Sequence, residues 1–438
     1  MARLWLTFGI LTPFFALFIV QQTSLAENYW PWFLATHPDS SQASRQRSGG
    51  VGHGPSLIQE QEQELGQGNQ KPLQAPGPPV ADRHASNVEG NLPETAFVRR
   101  IVAVGDLHGD FGNARKVLEM SGVIGAEGEW TGLVDFFVQT GDIIDRGDDT
   151  VELFSYMDKL RDQALAAGGM VLSHLGNHEW MNVIGECWRY VYPSEIKTFG
   201  SVEARGRMIT SGQIGKSWAT NYTTTSRLPL HPSLGPPNAD YDPSFSSPIS
   251  HSALSFVHGG LAPTYPDLTP YPSKINEIAS SLLRKLQTRK FPLVHPPNPY
   301  PGLPKTATKE ENRLYGGDGP LWYRGWALDE DEGVKGGLCD RADAVMEKIG
   351  VRRLIVGHTP DFEKIVSRCG GKIIIIDTGI SHAYGGVLSA LSITYSLTPL
   401  PPTEGGEARW KERETVVAVY PDRQDILADD AREITGEL

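Results

Sequence analysis

Short apolar runs alternate with polar, glycine-containing loops along the larger, second part of this chain. Six runs have the length and composition of buried strands; they lie at 100–104, 134–138, 170–175, 253–257, 353–356 and 372–376. Apolar residues at helical spacing lie between several of them, as in 111–121 and in 338–349. Strands that alternate with helices in this way predict a layered α/β fold.

The pattern changes in three other regions of the chain. Residues 385–397 and 415–420 predict two further strands, and residues 422–438 predict an exposed acidic tail. Two long segments, 180–252 and 263–323, separate predicted strands; they contain predicted helices at 201–218 and 275–286 and loops rich in proline. Insertions of this length are either walls and lids of a binding site or additions to the surface, and both readings stay open.

The N-terminal part lacks the pattern of a folded domain. Residues 4–20 are uncharged and apolar, and Ser24-Leu25-Ala26 is a small-x-small site, so residues 1–26 predict a cleaved signal peptide. The alternative is an uncleaved signal anchor that uses residues 4–20 to attach the protein to a membrane. Either leader predicts the secretory pathway, as an ER-lumen, secreted or membrane-anchored protein. Residues 27–96, rich in Gln, Gly and Pro, predict a disordered linker to a folded domain at 97–421.

Charge and cysteine content narrow the class of protein. The 438-residue chain has a formal net charge of −12, which argues against a nucleic-acid binder because phosphate backbones recruit basic surfaces. Its three cysteines, Cys187, Cys339 and Cys369, are too few for a disulfide-built scaffold and lack CxxC spacing. One internal disulfide is compatible with this count, but the sequence does not assign its partners.

Candidate chemistry lies in five polar clusters, each directly after an apolar run. They are GDLHGD at 105–110, GDIIDRG at 141–147, GNHE at 176–179, HGG at 258–260 and GHTP at 357–360. A single cluster of this kind has an ordinary structural explanation as a capped turn. Five of them at strand ends predict a shared site, because sites in α/β sheets form at the carboxyl ends of strands.

The side chains of these clusters suit a pair of metal ions. They are two carboxylates, one amide and three imidazoles, contributed by Asp106, Asp142, Asn177, His108, His258 and His358. Carboxylate with imidazole favours Mn, Fe or Zn over Ca or Mg alone. Two ions about 3.5–4 Å apart that share a carboxylate stabilise an in-line displacement at phosphorus. Arg146 offers a fork for phosphoryl oxygens, and Arg324 is either a second fork or a surface arginine stacked on an aromatic ring.

The ordered series of motifs resembles the calcineurin-like metallophosphoesterases of the phosphoprotein phosphatase superfamily. The segments GPLWYRGW at 319–326 and IDTGIS at 376–381 are similar to the Shewanella-like protein phosphatase branch. The resemblance covers about residues 101–381 and implies the calcineurin-like fold, a central β-sandwich flanked by helices.

The resemblance also implies roles for the motif residues. A first ion would be held by Asp106, His108 and Asp142, and a second by Asp142, Asn177, His258 and His358. His178 would be the general acid with Asp145 orienting it, while Arg146 and Arg324 would bind the phosphate. The implied activity is hydrolysis of phosphomonoesters on proteins by in-line attack of a hydroxide held between the two ions. Manganese is the ion expected to support activity in vitro.

Two other functions remain as alternatives. One difference from the family pattern also limits which family properties can be expected of this chain. The Tyr-containing loop of eukaryotic Ser/Thr phosphatases does not follow IDTGIS here, so phosphotyrosine and phosphoserine or phosphothreonine stay open. A dinucleoside-polyphosphate hydrolase would share the GDxxxRG arginine, but Glu179 and GPLWYRGW favour the phosphatase. Pro360 stands where nucleases of the superfamily carry the second His of GHxH. An inactive phosphopeptide-binding scaffold would lack a ligand or the acid, and none is missing.

Overall fold

The computed structural model describes residues 96–185, 189–290, 302–402 and 405–438. The predicted leader, residues 1–26, lies outside this part, as do Cys187 and the predicted linker except residue 96. Among the described residues, no helix combines the length and apolar character that a membrane crossing requires.

Two β-sheets form the centre of the described part. Its strands are β1 (Phe97–Val104), β2 (Phe136–Gln139), β3 (Met170–His174), β4 (Tyr222–Thr223), β5 (Thr225–Pro229), β6 (Ala253–Val257), β7 (Arg353–Val356), β8 (Val366–Arg368), β9 (Ile373–Ile375), β10 (Ala390–Leu400), β11 (Arg409–Val419) and β12 (Gln424–Thr435). The first sheet has the order β12-β11-β10-β1-β2-β3-β4 and the second β5-β6-β7-β9-β8. Strands β1 to β4 run parallel, as do β6, β7 and β9, whereas β10, β11 and β12 are antiparallel.

Helices connect and cover the strands. They are α1 (Phe111–Met120), α2 (Thr150–Ala166), α3 (Asn177–Ile184), α4 (Pro193–Phe199), α5 (Val202–Thr210), α6 (Gln213–Asn221), α7 (Ser273–Thr288), α8 (Lys309–Leu314), α9 (Gly325–Leu328) and α10 (Leu338–Ile349), with 3-10 turns at Pro232–Leu234 and Cys369–Gly371. The side chain of Asp110 caps α1 by accepting from the Asn113 amide, which explains why that helix begins directly after the first polar cluster.

The two faces of each central strand have different partners because side chains alternate along a strand. In β1, Ile101 and Ala103 belong to a cluster that joins the facing sides of both sheets, while Val102 and Val104 pack with the helices. The second sheet repeats this alternation, with Ile355 of β7 facing the other sheet. Every central strand is therefore buried on both faces, which accounts for the continuous apolar runs in the sequence. The predicted α/β sandwich flanked by helices is confirmed.

The C-terminal boundary drawn from the sequence is wrong. Residues 422–438 were expected to form an exposed acidic tail, but Gln424–Thr435 pairs along β11 as the edge strand β12. Many of its side chains are exposed and acidic, so the composition resembles that of a tail. Ile434 is buried, and Leu427 and Ala428 pack against the core between the sheets. The folded domain therefore continues to this last strand.

The insertion at 180–252 is part of both sheets. It supplies β4 at the edge of the first sheet and β5 at the edge of the second, where β5 pairs antiparallel with β6. Its helices α4, α5 and α6 lie between α3 and β4 in the chain. The insertion therefore supplies an edge strand to each sheet in addition to its helices.

A disulfide links the second sheet to a helix. Cys339 at the start of α10 and Cys369 after β8 are bonded, with an S–S distance of 2.02 Å. This is the one internal disulfide that the cysteine count allowed.

Buried ion pairs join β7 to the C-terminal strands. The Arg353 Nε donates to Glu414 at 2.8 Å, and the same guanidinium contacts Asp430 of β12. The neighbouring Arg352 donates to both Glu412 and Glu414 at 2.7 and 3.0 Å. Since Glu412 and Glu414 are buried, these arginines compensate charges that would otherwise lack solvation.

We expect the substitution Arg353→Met to lower the free energy of unfolding by about 3 kcal/mol, because removing one partner leaves buried carboxylates undercompensated. Denaturant unfolding measures this loss. The Arg353 side chain bonds to Glu414, Gly371 and Asp430, which lie outside the five polar clusters, so metal binding at 25 °C should be retained. An unchanged unfolding free energy would show that the network contributes nothing net.

Candidate active site

The five polar clusters lie together at the carboxyl ends of parallel strands from both sheets. The clusters at 105–110, 141–147 and 176–179 follow β1, β2 and β3, and those at 258–260 and 357–360 follow β6 and β7. Hydrogen bonds join the first two: the amides of Leu107 and His108 both donate to the Asp142 carbonyl at 3.0 Å. The His258 Nδ1 contacts the Thr140 carbonyl at 3.0 Å, which connects the second sheet to the first.

Sharp turns aim the polar side chains of these clusters. Five non-glycine residues adopt positive φ angles there: His108 (44°), Asp142 (55°), Asp145 (73°), Arg146 (65°) and His358 (68°). Such angles cost free energy, and they persist where the surrounding structure imposes them, often at functional sites. Close packing adds to the constraint: a Cβ on Gly176 would lie 2.2 Å from the Asp142 Oδ1, so only glycine fits there.

Two groups of buried side chains could each hold a metal ion. One group joins His108, Asp142 and His178, and the other joins Asp142, His258 and His358, with the ligand atoms of each group within 4.8 Å of one another. Asp142 belongs to both groups, so its carboxylate lies where a bridging ligand would be needed. The Asn177 Oδ1 lies 2.8 Å from the His258 Nε2 and extends the second group. The Asp106 Oδ2 lies 4.0 Å from the His108 Nε2 and extends the first.

The residues present fit a pair of divalent ions. The Nε2 of His358 is buried and has no hydrogen-bond partner among the described residues, as expected of a ligand atom that serves a cation. Burial lowers the pKa of His108 to about 3 and that of His358 well below its usual value. Both imidazoles are therefore neutral, which is the form that coordinates metals.

His178 differs from these imidazoles in the direction of its pKa shift. Burial works against its protonation, but Asp142 and Asp145 outweigh that effect, so the pKa of His178 is raised above its ordinary value. Its Nδ1 lies 2.7 Å from the Asp145 Oδ2, and its Nε2 lies 3.9 Å from Asp142. The imidazole therefore keeps one nitrogen on a buried carboxylate and directs the other toward the metal-binding groups. This arrangement suits a proton donor better than a third ligand.

A further carboxylate, that of Asp377, lies beside the site. Burial, Asp377 and Asp142 together raise the pKa of Asp106 well above its usual value, and burial also raises the pKa of Asp377. The raised pKa values of Asp106 and Asp377 mean that burying them as anions is costly, and cations bound beside them would replace their protons. Sequence reasoning gave Asp377 no role, although it lies in the segment IDTGIS.

Glu179 holds two of the clusters together. Its Oε1 accepts from the amides of Ile143 and Ile144 at 2.8 and 3.3 Å, and its Oε2 accepts from Asp142 and Gly176 at 2.9 and 2.7 Å. Four backbone donors of the turns around Asp142 therefore depend on one buried carboxylate. From the sequence, Glu179 served only to distinguish the phosphatases from the dinucleoside-polyphosphate hydrolases. Its contacts with a distant loop could not be predicted, because such contacts leave no periodic pattern.

The guanidinium of Arg146 contacts two tyrosine rings. The Arg146 Cζ is 4.7 Å from the ring centres of both Tyr190 and Tyr384. Tyr384 also lies 5.2 Å from the ring of His108, so the segment after IDTGIS brings a tyrosine to the site despite the missing Tyr-containing loop. Neither ring was identified from the sequence, since isolated tyrosines in loops carry no signal.

Arg324 lies against the His358 turn. Its Nη1 donates to the His358 carbonyl and to the Thr359 Oγ1 at 2.6 and 3.0 Å. Trp322, two residues earlier, packs edge-on against the His358 ring at 5.6 Å. The Arg324 side chain is thus held at the turn of His358, and its binding of phosphate stays a prediction.

We expect Glu179→Gln to destabilise the protein by about 2 kcal/mol, because an amide nitrogen cannot accept the backbone donors that one carboxylate oxygen now serves. Bound metal, measured by elemental analysis after dialysis, should fall because Asp142 loses its support. Glu119→Gln, on the exposed face of α1, is the matched control and should change neither quantity. Unaltered stability and metal content in the Glu179 variant would contradict this role.

Comparison with known proteins agrees with this geometry. The calcineurin-like phosphoesterase family profile matches residues 99–362. An uncharacterized Schizosaccharomyces pombe protein is 35% identical over 321 residues, which cover 71% of this chain and 82% of that protein. Shewanella-like protein phosphatase 2 of Arabidopsis thaliana is 28% identical over 331 residues, covering 67% of this chain and 75% of that protein.

The fold is shared with solved structures. The cold-active protein-tyrosine phosphatase of a psychrophilic Shewanella species superposes with a TM-score of 0.52 at 22% identity, covering 75% of this chain and 80% of that one. The resemblance to the Shewanella-like protein phosphatases that the motifs suggested is thus confirmed. The chain belongs to the calcineurin-like phosphoesterase family.

Proposed function

We propose that this protein is a di-metal phosphomonoesterase that removes phosphate from phosphorylated protein residues. The observation that carries the proposal is the position of Asp142, whose carboxylate is common to two groups of buried metal-binding side chains. One ion would be held by Asp106, His108 and Asp142, and the other by Asp142, Asn177, His258 and His358. The mixture of carboxylate and imidazole suits Mn, Fe or Zn, with manganese the first choice for assays. Divalent ions bound there acidify water and neutralise charge on phosphoryl oxygens.

Arg146 and Arg324 would both bind the phosphoryl group. The Arg146 guanidinium contacts the rings of Tyr190 and Tyr384, and its buried Nε has no hydrogen-bond partner among the described residues, so its N–H groups would meet phosphate oxygens in pairs. Arg324 is fixed by its bonds to the His358 turn, so its remaining N–H groups are oriented in advance. Two guanidinium groups with fixed orientation would align the phosphorus atom for in-line displacement.

His178 would protonate the departing oxygen. Its Nδ1–H donates to Asp145, and the proton on Nε2 is the one directed toward the metal-binding groups. Because its pKa is raised above the ordinary value, the imidazole keeps its proton to higher pH than a free imidazole does and would supply that proton as the ester bond breaks.

The relatives named as protein phosphatases support phosphoprotein as the substrate class. Aromatic rings at Tyr190, Tyr384 and Trp322 surround the site and favour an aryl phosphate, so phosphotyrosine is the first residue to test.

The deciding experiment assays the purified protein, with added manganese, against phosphotyrosine peptides, phosphoserine and phosphothreonine peptides, and diadenosine tetraphosphate. We expect peptide hydrolysis that a chelator abolishes and that added manganese restores. Hydrolysis of the dinucleotide alone would assign the alternative activity. A metal-loaded protein that hydrolyses none of these substrates would contradict the proposal.

The substitution His178→Asn should reduce kcat on a phosphotyrosine peptide by roughly 100-fold or more, because the general acid is lost. The wild-type rate should fall as pH rises through the raised pKa of His178, since only the charged imidazole donates a proton, and this alkaline decline should be absent from the variant. Metal content should stay unchanged. A variant with wild-type turnover would exclude His178 as the acid.

A further inference from the structure

A buried polar network lies behind the His178–Asp145 pair, and the insertion at 180–252 supplies three of its four members. The network consists of Asp145, Asn182 of α3, Glu195 of α4 and Arg205 of α5, all of them buried. Arg205 is its centre. Its Nη2 donates to the Asp145 Oδ1 at 2.8 Å and to the Glu195 Oε1 at 2.9 Å, and its Nη1 contacts the Asn182 Oδ1.

The network restricts the Asp145 carboxylate to one orientation. The Oδ1 accepts from Arg205 and from the Asn182 Nδ2 at 3.0 Å, while the Oδ2 accepts from Asn182 at 2.8 Å and from His178 at 2.7 Å. Rotation of the carboxylate would break the bond to Arg205 and the bond to His178 together. The position of the imidazole therefore depends on Arg205, which does not itself touch the metal-binding groups.

Arg205 of α5 is in turn held by a contact with α4. Its guanidinium lies over the ring of Phe199 with the Cζ 5.3 Å from the ring centre. Glu195 accepts from the Thr150 Oγ1 at 2.9 Å, which ties α4 to the beginning of α2. Thr150 lies only five positions after Asp145 in the chain, so the network closes on the loop that carries Asp145.

We propose that Arg205 is a positioning residue for the proton donor, and that the insertion helices α4 and α5 thereby control how efficiently His178 protonates the leaving oxygen. The inference rests on the proposed phosphomonoesterase activity. The proposal predicts an effect that depends on the leaving group. Loss of Arg205 should slow reactions that need a proton on the leaving oxygen and spare those that do not. A purely structural role would slow both alike.

The test compares phenyl phosphate, whose leaving oxygen needs a proton, with 2,4-dinitrophenyl phosphate, whose leaving oxygen does not. In Arg205→Met we expect kcat on phenyl phosphate to fall roughly 10-fold or more, the scale typical of residues that orient a functional imidazole. The kcat on the dinitrophenyl ester should change less than about twofold, and KM and metal content should stay as in the wild type. Arg205→Lys, which keeps the charge without the fork, should recover part of the lost rate.

A double-mutant cycle adds a second readout. In a His178→Asn background there is no imidazole to position, so Arg205→Met should cause no further loss on phenyl phosphate. Arg353→Met is the matched control, because it also removes a buried arginine that pairs with two carboxylates, but at β7 and away from the proton donor. It should lower stability without changing the ratio of the two kcat values.

Several results would overturn the inference. An equal loss on both esters, or a multiplicative loss in the His178→Asn background, would show that Arg205 acts through overall structure. If Arg205→Met does not fold, Arg205→Lys decides, and a wild-type ratio of the two rates in that variant would contradict positioning. A wild-type protein that hydrolyses neither these esters nor the phosphopeptides would refute the proposed activity as well, whereas an active wild type with an unselective Arg205 variant refutes this inference alone.

Discussion

The cost of burying negative charge is the constraint on which this structure depends. Asp106, Asp142 and Asp377 lie close together with little access to water, and their mutual repulsion is stable only if cations or charged donors compensate it. The neutral imidazoles of His108 and His358 cannot supply that charge, but they can coordinate ions that do. The same constraint explains the strained turns, since those turns carry the ligands inward. Metal binding and the stability of this rim are thus thermodynamically coupled.

Much of the site could be predicted because its ligands follow buried strands directly. Short apolar runs located β1, β2, β3, β6 and β7, and the polar residues after them were brought to one rim as expected. The resemblance to a known family then gave each residue a role that the sequence alone could not assign. Local order along the chain was sufficient here because the fold places the carboxyl ends of parallel strands side by side.

Contacts between distant segments could not be predicted in this way. Glu179, Tyr384 and Arg205 act on residues that lie far from them in the chain or on turns whose shape no periodic pattern encodes. The C-terminal edge strand was missed for a related reason. The exposed, acidic side of β12 has the composition of a solvated tail, and its pairing with β11 comes from backbone hydrogen bonds that are independent of side-chain identity.

The insertion at 180–252 shows how a segment outside the motifs can contact residues of the candidate site. It completes an edge of each sheet and places Glu195 and Arg205 against the loop of Asp145. Sequence change in this segment is therefore limited by two demands, the pairing of β4 and β5 and the compensation of buried charge behind His178.

The pairing of β1 with β10 has a consequence for synthesis of the protein. β1, the strand that leads to Asp106 and His108, is the first described strand to leave the ribosome, yet one of its two neighbours spans Ala390–Leu400. Until that late segment emerges, β1 is an open edge, with unpaired amides and carbonyls next to the ligand loop. The nascent chain must therefore hold an incomplete first sheet through most of translation, a state that chaperone binding or delayed collapse would protect from aggregation.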